Sequence, residues 1–111
     1  MKRRFVEISS FSRKLRELGG SELLRDIQNA IMDDPSVGPV IQGAGGIRKM
    51  RIATEGRGKS GGCRVLYIDF SKAKVTYLLM LFPKNQKDNI SDEEKALLAK
   101  MATQLKKEVE K

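Results

Sequence analysis

The chain contains no histidine and a single cysteine, Cys63. The first absence removes the usual neutral-pH acid/base group and the commonest metal ligand together, so any catalysis falls to Lys, Arg, Asp, Glu, Tyr or Cys. The second excludes an internal disulfide and points to a reducing compartment, the cytoplasm. No apolar run approaches the ~20 residues of a membrane span, so no membrane partner is expected. Met1-Lys2-Arg3-Arg4 has the charge of a signal-peptide start, but Glu7, Ser9, Ser10, Ser12 and Arg13 deny it an apolar continuation, so nothing suggests export. Acidic residues are also scarce: 14 Asp and Glu face 22 Lys and Arg, a net charge of +8. That surplus calls for a polyanionic partner.

What is present suits one ordinary domain covering residues 1–111, since 40% of the residues are hydrophobic and two separate cores would each be marginal at this length. Phe5-Val6-Glu7-Ile8 reads as a short strand. Ser9 or Ser10 then caps a helix carrying Phe11, Leu15 and Leu18, which Gly19-Gly20 stops. Ser21 opens a second helix with Leu23, Leu24, Ile27 and Ile31 on one stripe, ended by Pro35. From Pro35 to Gly46 turn formers dominate, giving a loop.

The second half changes period. Between Ile47 and Thr54, Met50 and Ile52 fall on one face of a strand and Lys49 and Arg51 on the other. Arg64 to Phe70 and Val75 to Phe82 are apolar on both parities and form a hairpin through Ser71-Lys72-Ala73-Lys74. Ser91 and Glu94 fit a capping box opening a helix with Leu97, Leu98, Met101, Leu105 and Val109 along one side. The order β-α-α-β-β-β-α favours an α+β fold in which an antiparallel sheet carries an N-terminal helical hairpin and a C-terminal helix.

Gly56-Arg57-Gly58-Lys59-Ser60-Gly61 satisfies G-x-G-x-x-G and contains Gly-Lys-Ser, yet a strand rather than a helix follows it, and Ala53 stands where a Walker loop needs glycine. It is better read as a loop with Arg57 and Lys59 at its tip. Asp33-Asp34 suits a local turn, and Asp92, Glu93 and Glu94 suit a helix start. No metal site is readable. Cys63 reads as a small strand residue, and Tyr67 and Tyr77 as core.

The cations between residues 48 and 64 are the feature to explain: Arg48, Lys49, Arg51, Arg57, Lys59 and Arg64 are opposed only by Glu55. A solvated charged face would account for their number. Their spread over two adjacent strands and a connecting loop favours convergence on one patch, and flanking glycines let backbone amides approach phosphate. Lys84 and Asn85 follow the last strand and can join it.

Three segments, Ile47-Arg48-Lys49-Met50-Arg51, then residues 56–67 from Gly56 through Arg64 to Tyr67, then Leu81-Phe82-Pro83-Lys84-Asn85-Gln86, together resemble the RelE/ParE superfamily of type II toxin-antitoxin toxins, most closely its HigB-like branch. The resemblance implies a RelE-like fold and a metal-independent, cofactor-free, ribosome-dependent endoribonuclease that cleaves mRNA. Its implied partners are the ribosome, mRNA and a cognate antitoxin, with a monomeric free toxin. In such toxins the ribose 2′-hydroxyl attacks the neighbouring phosphate. By position, Lys49 and Arg51 match the paired cations of the second strand, Arg64 matches the phosphate-contacting arginine of the third, and Lys84 falls where a basic catalytic residue stands. Arg48, Arg57, Lys59 and Asn85 are then expected to hold RNA. Some relatives use a tyrosine or histidine near the C-terminus, and the stretch between Pro83 and Ser91 has neither, which leaves the general base open, with Lys49 or Lys84 as the group to exchange a proton. Two other classes share part of this description: a ParE-like inhibitor of DNA gyrase, and a basic RNA-binding protein without catalysis. An antitoxin is expected to cover the cationic patch or pin the C-terminal helix.

Overall fold

Residues 3–53, 62–83 and 89–110 are described by the structure, a computed structural model. Along the chain they form β1 (Arg4–Glu7), α1 (Ser9–Leu18), α2 (Gly20–Asp33), β2 (Arg48–Ile52), β3 (Cys63–Phe70), β4 (Val75–Pro83) and α3 (Asp92–Val109). This is the element order expected from the sequence.

The strands make one sheet in the order β1-β4-β3-β2. β2, β3 and β4 run antiparallel, as the hairpin reading requires, whereas β1 joins β4 in parallel, with Arg4 opposite Val75 and Glu7 opposite Leu78. The expected α+β layer is therefore a mixed sheet. Once β3 has taken one side of β4, the other side is the one left for β1. The chain then runs from β1 directly into α1, and Ile8 N donates to Leu78 O at the junction. A polar knot fixes that edge: Asp69 on β3 accepts from the Arg3 guanidinium and from Thr76 Oγ1 of β4, while its second oxygen accepts from Ser71 Oγ.

Alternation sorts the strand residues into two cores. Phe11, Leu15, Leu23, Ile27 and Ile31 of the helical hairpin pack against Met50, Ile52, Val65, Tyr67 and Leu78 on one face. Leu66, Ile68, Tyr77 and Leu79 face the other way and pack with Ile41, Ile47, and with Leu98 and Ala102 of α3. A register shift between Leu66 and Tyr67 leaves Leu79 as an extra residue on β4, so that Leu78 and Leu81 both reach the helical-hairpin face. Both sheet faces are thus covered, which is why β3 and β4 read as apolar on both parities.

Helix ends follow the sequence in part. Ser91 and Glu94 form the expected capping box, with Ser91 Oγ accepting from Glu94 N and Glu94 Oε1 from Ser91 N. Neither Ser9 nor Ser10 caps α1, whose N-cap is Ile8; the Ser10 hydroxyl instead donates to Leu79 O and ties the helix to β4. α2 begins one residue before Ser21, at Gly20, whose φ of 59° turns the chain from one helix into the next at little cost. On α3 the buried residues are Leu98 and Ala102, and Leu97 is 64% exposed rather than part of the covered stripe.

The loop after α2 is built onto the sheet. Lys49 N donates to Pro39 O and Ile41 N to Ile47 O, so residues 39–41 run beside β2 and occupy its outer edge. Gly38 is buried where a Cβ would lie 2.8 Å from the Lys49 carbonyl, and only glycine allows this approach.

Candidate functional site

The five residues of β2, Arg-Lys-Met-Arg-Ile, separate two chemistries by parity alone. Met50 and Ile52 are buried toward the helical hairpin, which obliges Lys49 and Arg51 to project from the opposite face. Register then brings β3 into line, with Arg51 directly opposite Arg64 and Lys49 opposite Leu66. Opposed residues on one face stand with Cβ atoms roughly 5 Å apart. Lys49, Arg51 and Arg64 consequently line one cleft of about 310 Å³, closed on its other side by Val37 and Pro39.

Two arginines directly opposite each other repel, at a cost of a few tenths of a kcal/mol in an antiparallel pair. An anion bound between them reverses the sign. Arg51 is exposed, whereas Arg64, which also lines the cleft, is 5% exposed. A second cleft of about 370 Å³ adjoins the first, sharing Lys49 and Pro39 and adding Asn89, Ile90 and Lys95.

The wall of the cleft has its own support. The Tyr67 hydroxyl donates to Pro35 O at 2.9 Å and accepts from Gly38 N at 3.1 Å. Arg48, opposite Tyr67 on the same face, donates to Gly38 O at 2.7 Å and Ser36 O at 3.4 Å. These bonds clamp residues 35–38 and thereby fix Val37 and Pro39. Burial raises the Tyr67 phenol above its ordinary value; the Gly38 bond and the Arg48 charge offset this in part.

Of the residues singled out from sequence, Lys49, Arg51 and Arg64 are brought together. Arg48 is not with them: it shares the face of Met50 and spends its guanidinium on the loop backbone. Lys84, Arg57, Lys59 and Asn85 lie outside the described residues. Cys63 is a buried strand residue, and Asp34 Oδ1 accepts from Ser36 N in a local turn, both as expected. The loop clamp made by Tyr67 was not visible in the sequence, because an apolar strand gives no sign that its tyrosine hydroxyl meets backbone some thirty residues earlier in the chain. Among the described residues no group of His, Cys, Asp and Glu is placed to hold a metal ion, and no helix is long and apolar enough to cross a membrane.

A small basic α+β protein with arginines and a lysine gathered at an edge cleft is the class these observations define. The family model for the RelE toxin of the RelE/RelB toxin-antitoxin system matches residues 9–111, and the chain belongs to that family. Solved structures show the same fold. An arginine-to-alanine double mutant of E. coli toxin RelE in the free state matches with a TM-score of 0.57 at 16% identity, covering 77% of this chain and 86% of that one. The isolated E. coli RelE toxin matches with a TM-score of 0.57 at 12% identity over 94% of this chain and 99% of that one.

Proposed function

We propose that this protein is a ribosome-dependent endoribonuclease that cleaves mRNA and is restrained by a cognate antitoxin. The observation that carries the reading is the shared cleft of Lys49, Arg51 and Arg64 on one sheet face, in a chain of the RelE toxin family. Cleavage by this route forms a bond between the ribose 2′-oxygen and the neighbouring phosphorus and breaks the bond to the 5′-oxygen of the next nucleotide. It needs a proton removed from the 2′-hydroxyl, a proton delivered to the leaving oxygen, and stabilisation of the extra phosphate charge.

Arg51 and Arg64 serve the third need. Planar guanidinium groups suit bidentate phosphate contact and keep their charge, so they bind the phosphate and do not act as bases. Lys49, beside them, carries one of the two protons, and Lys84 is assigned the other. The ribosome supplies what a histidine-free site has least of, a substrate held with its 2′-hydroxyl in line for attack. An acidic antitoxin segment fits the same +8 chain and competes for the cleft.

Mapping RNA ends after brief induction tests the reading. New ends at a fixed codon position are expected for the wild type and should vanish, with growth restored, in the Lys49→Ala, Arg51→Ala double variant. Full toxicity of that double variant would overturn the site, and loss of gyrase activity without new RNA ends would overturn the nuclease.

A further inference from the structure

The cleft beside Arg51 and Arg64 does not end at Lys49. The neighbouring cleft shares Lys49 and Pro39 with it, so a chain lying in the first passes over Lys49 into the second. The cation waiting there is Lys95, in the first turn of α3, accompanied by the amide of Asn89. Lys95 is half-buried, and its stem lies beside the turn at Gly43, where an added Cβ would sit 3.9 Å from the lysine Cδ. The turn of helix beneath it is fixed by the capping box and by the bond from Lys95 N to Ser91 O. Its charge is therefore presented on a rigid element rather than on a loop.

A lysine in the first turn of a helix sits against the positive end of the helix dipole, an unfavourable place that an anion at the same spot makes favourable. Asp92, Glu93 and Glu94 share this turn and partly offset the field, but none lines the second cleft; Glu94 reaches back to Ser91 N and borders a separate apolar groove with Leu97 and Met101. The walls of the second cleft are Val40, Ile41 and Ile90. Apolar flanks beside spaced cations suit a sugar-phosphate chain whose riboses and bases need contact between charges.

We propose that Lys95 and Asn89 form a subsite for a phosphate flanking the scissile one, so that the RNA track runs from Arg51 and Arg64 across Lys49 to the start of α3. The proposal rests on the nuclease reading and extends it to a neighbouring nucleotide. An acidic peptide is the other polyanion the charges would accept, but a track that continues the proposed scissile-phosphate cleft past the apolar walls of Val40, Ile41 and Ile90 favours RNA.

The test is binding of the full chain to a 2′-O-methyl RNA oligomer of about six nucleotides, followed by fluorescence anisotropy over a range of salt concentrations. One phosphate contact accounts for a slope of about 0.7 in log K against log salt for a single strand. Lys95→Ala should flatten the slope by about that amount, Lys95→Arg should keep it, and a neutral methylphosphonate at one flanking position should abolish the difference between Lys95→Ala and wild type. Arg51→Ala reports separately on the parent reading. If it flattens the slope while Lys95→Ala does not, the subsite is wrong and the nuclease cleft stands. If neither variant changes the slope, both fall. Equal Lys95-dependent binding of a hexaglutamate peptide would reassign the track to a protein partner and overturn the RNA subsite.

Discussion

Replacing Tyr67 with phenylalanine removes one oxygen and tests whether the loop wall is clamped as described. The ring stays in a site with 0% exposure, so packing changes little. What goes is the bond donated to Pro35 O at 2.9 Å and the bond accepted from Gly38 N at 3.1 Å. Each ordinary hydrogen bond contributes about 0.5–1.5 kcal/mol net, and a buried N–H left without a partner costs about 1–3 kcal/mol. Gly38 is buried and packed against β2, so its N–H is poorly placed to find water. Losing the Pro35 bond and stranding the Gly38 N–H together cost about 1.5–4.5 kcal/mol, read as a lower urea midpoint with unchanged m.

Alkaline titration reads the burial of the same hydroxyl, which the Gly38 bond only partly offsets. Burial raises the Tyr67 phenol above 10.0, so the folded protein holds this proton more tightly than the unfolded chain does. The corresponding stability is complete below the ordinary tyrosine value and is lost as pH climbs through the raised folded value. Wild type should therefore weaken more steeply than Tyr67→Phe above about pH 10, and the gap between them should narrow. A loss under about 0.5 kcal/mol at neutral pH would refute the clamp, and parallel alkaline curves would refute the burial of the hydroxyl.

Four further substitutions follow from the described contacts. Asp69→Ala strands the Arg3 guanidinium and Thr76 hydroxyl at the β1 edge and should cost about 3 kcal/mol in chemical denaturation. Gly38→Ala drives a Cβ to 2.8 Å from the Lys49 backbone; thermal unfolding should drop by several degrees, and oligonucleotide binding should weaken because Lys49 moves with the displaced strand. Ser91→Ala removes the N-cap of α3 and should cost about 1 kcal/mol, measured by urea denaturation, whereas Ser9→Ala, which touches no cap, should cost far less.

The readable features were local ones. Period-two alternation set Met50 and Ile52 against Lys49 and Arg51, and the same parity places Arg48 with Met50, so its separation from the cationic cleft was legible although charge alone suggested otherwise. Ser91 and Glu94 disclosed the start of α3 because both halves of a capping box lie within one turn. The parallel pairing of β1 was not legible, since Arg4–Glu7 is too short to encode a partner and its direction is fixed by contacts with Asp69 and Thr76 through Arg3. The exposure of Leu97 was hidden for a related reason. Its spacing suits the apolar stripe, but the narrow seat between α3 and the sheet is filled by Leu98 and Ala102. Lys95 escaped attention because nothing in a lysine-rich helix singles out the one that faces a loop from the opposite half of the chain.

Residues 39–41 lie along the outside of β2 and use the backbone groups that a terminal strand would otherwise offer to strangers. An intruding peptide finds the stretch of that rim over residues 47–49 already taken, and the four residues of β1 make another short margin for such recruitment among the described residues. Recruitment along the backbone is thereby confined to short stretches, and charge and shape on the side-chain surface are left most of the work of discriminating friend from bystander.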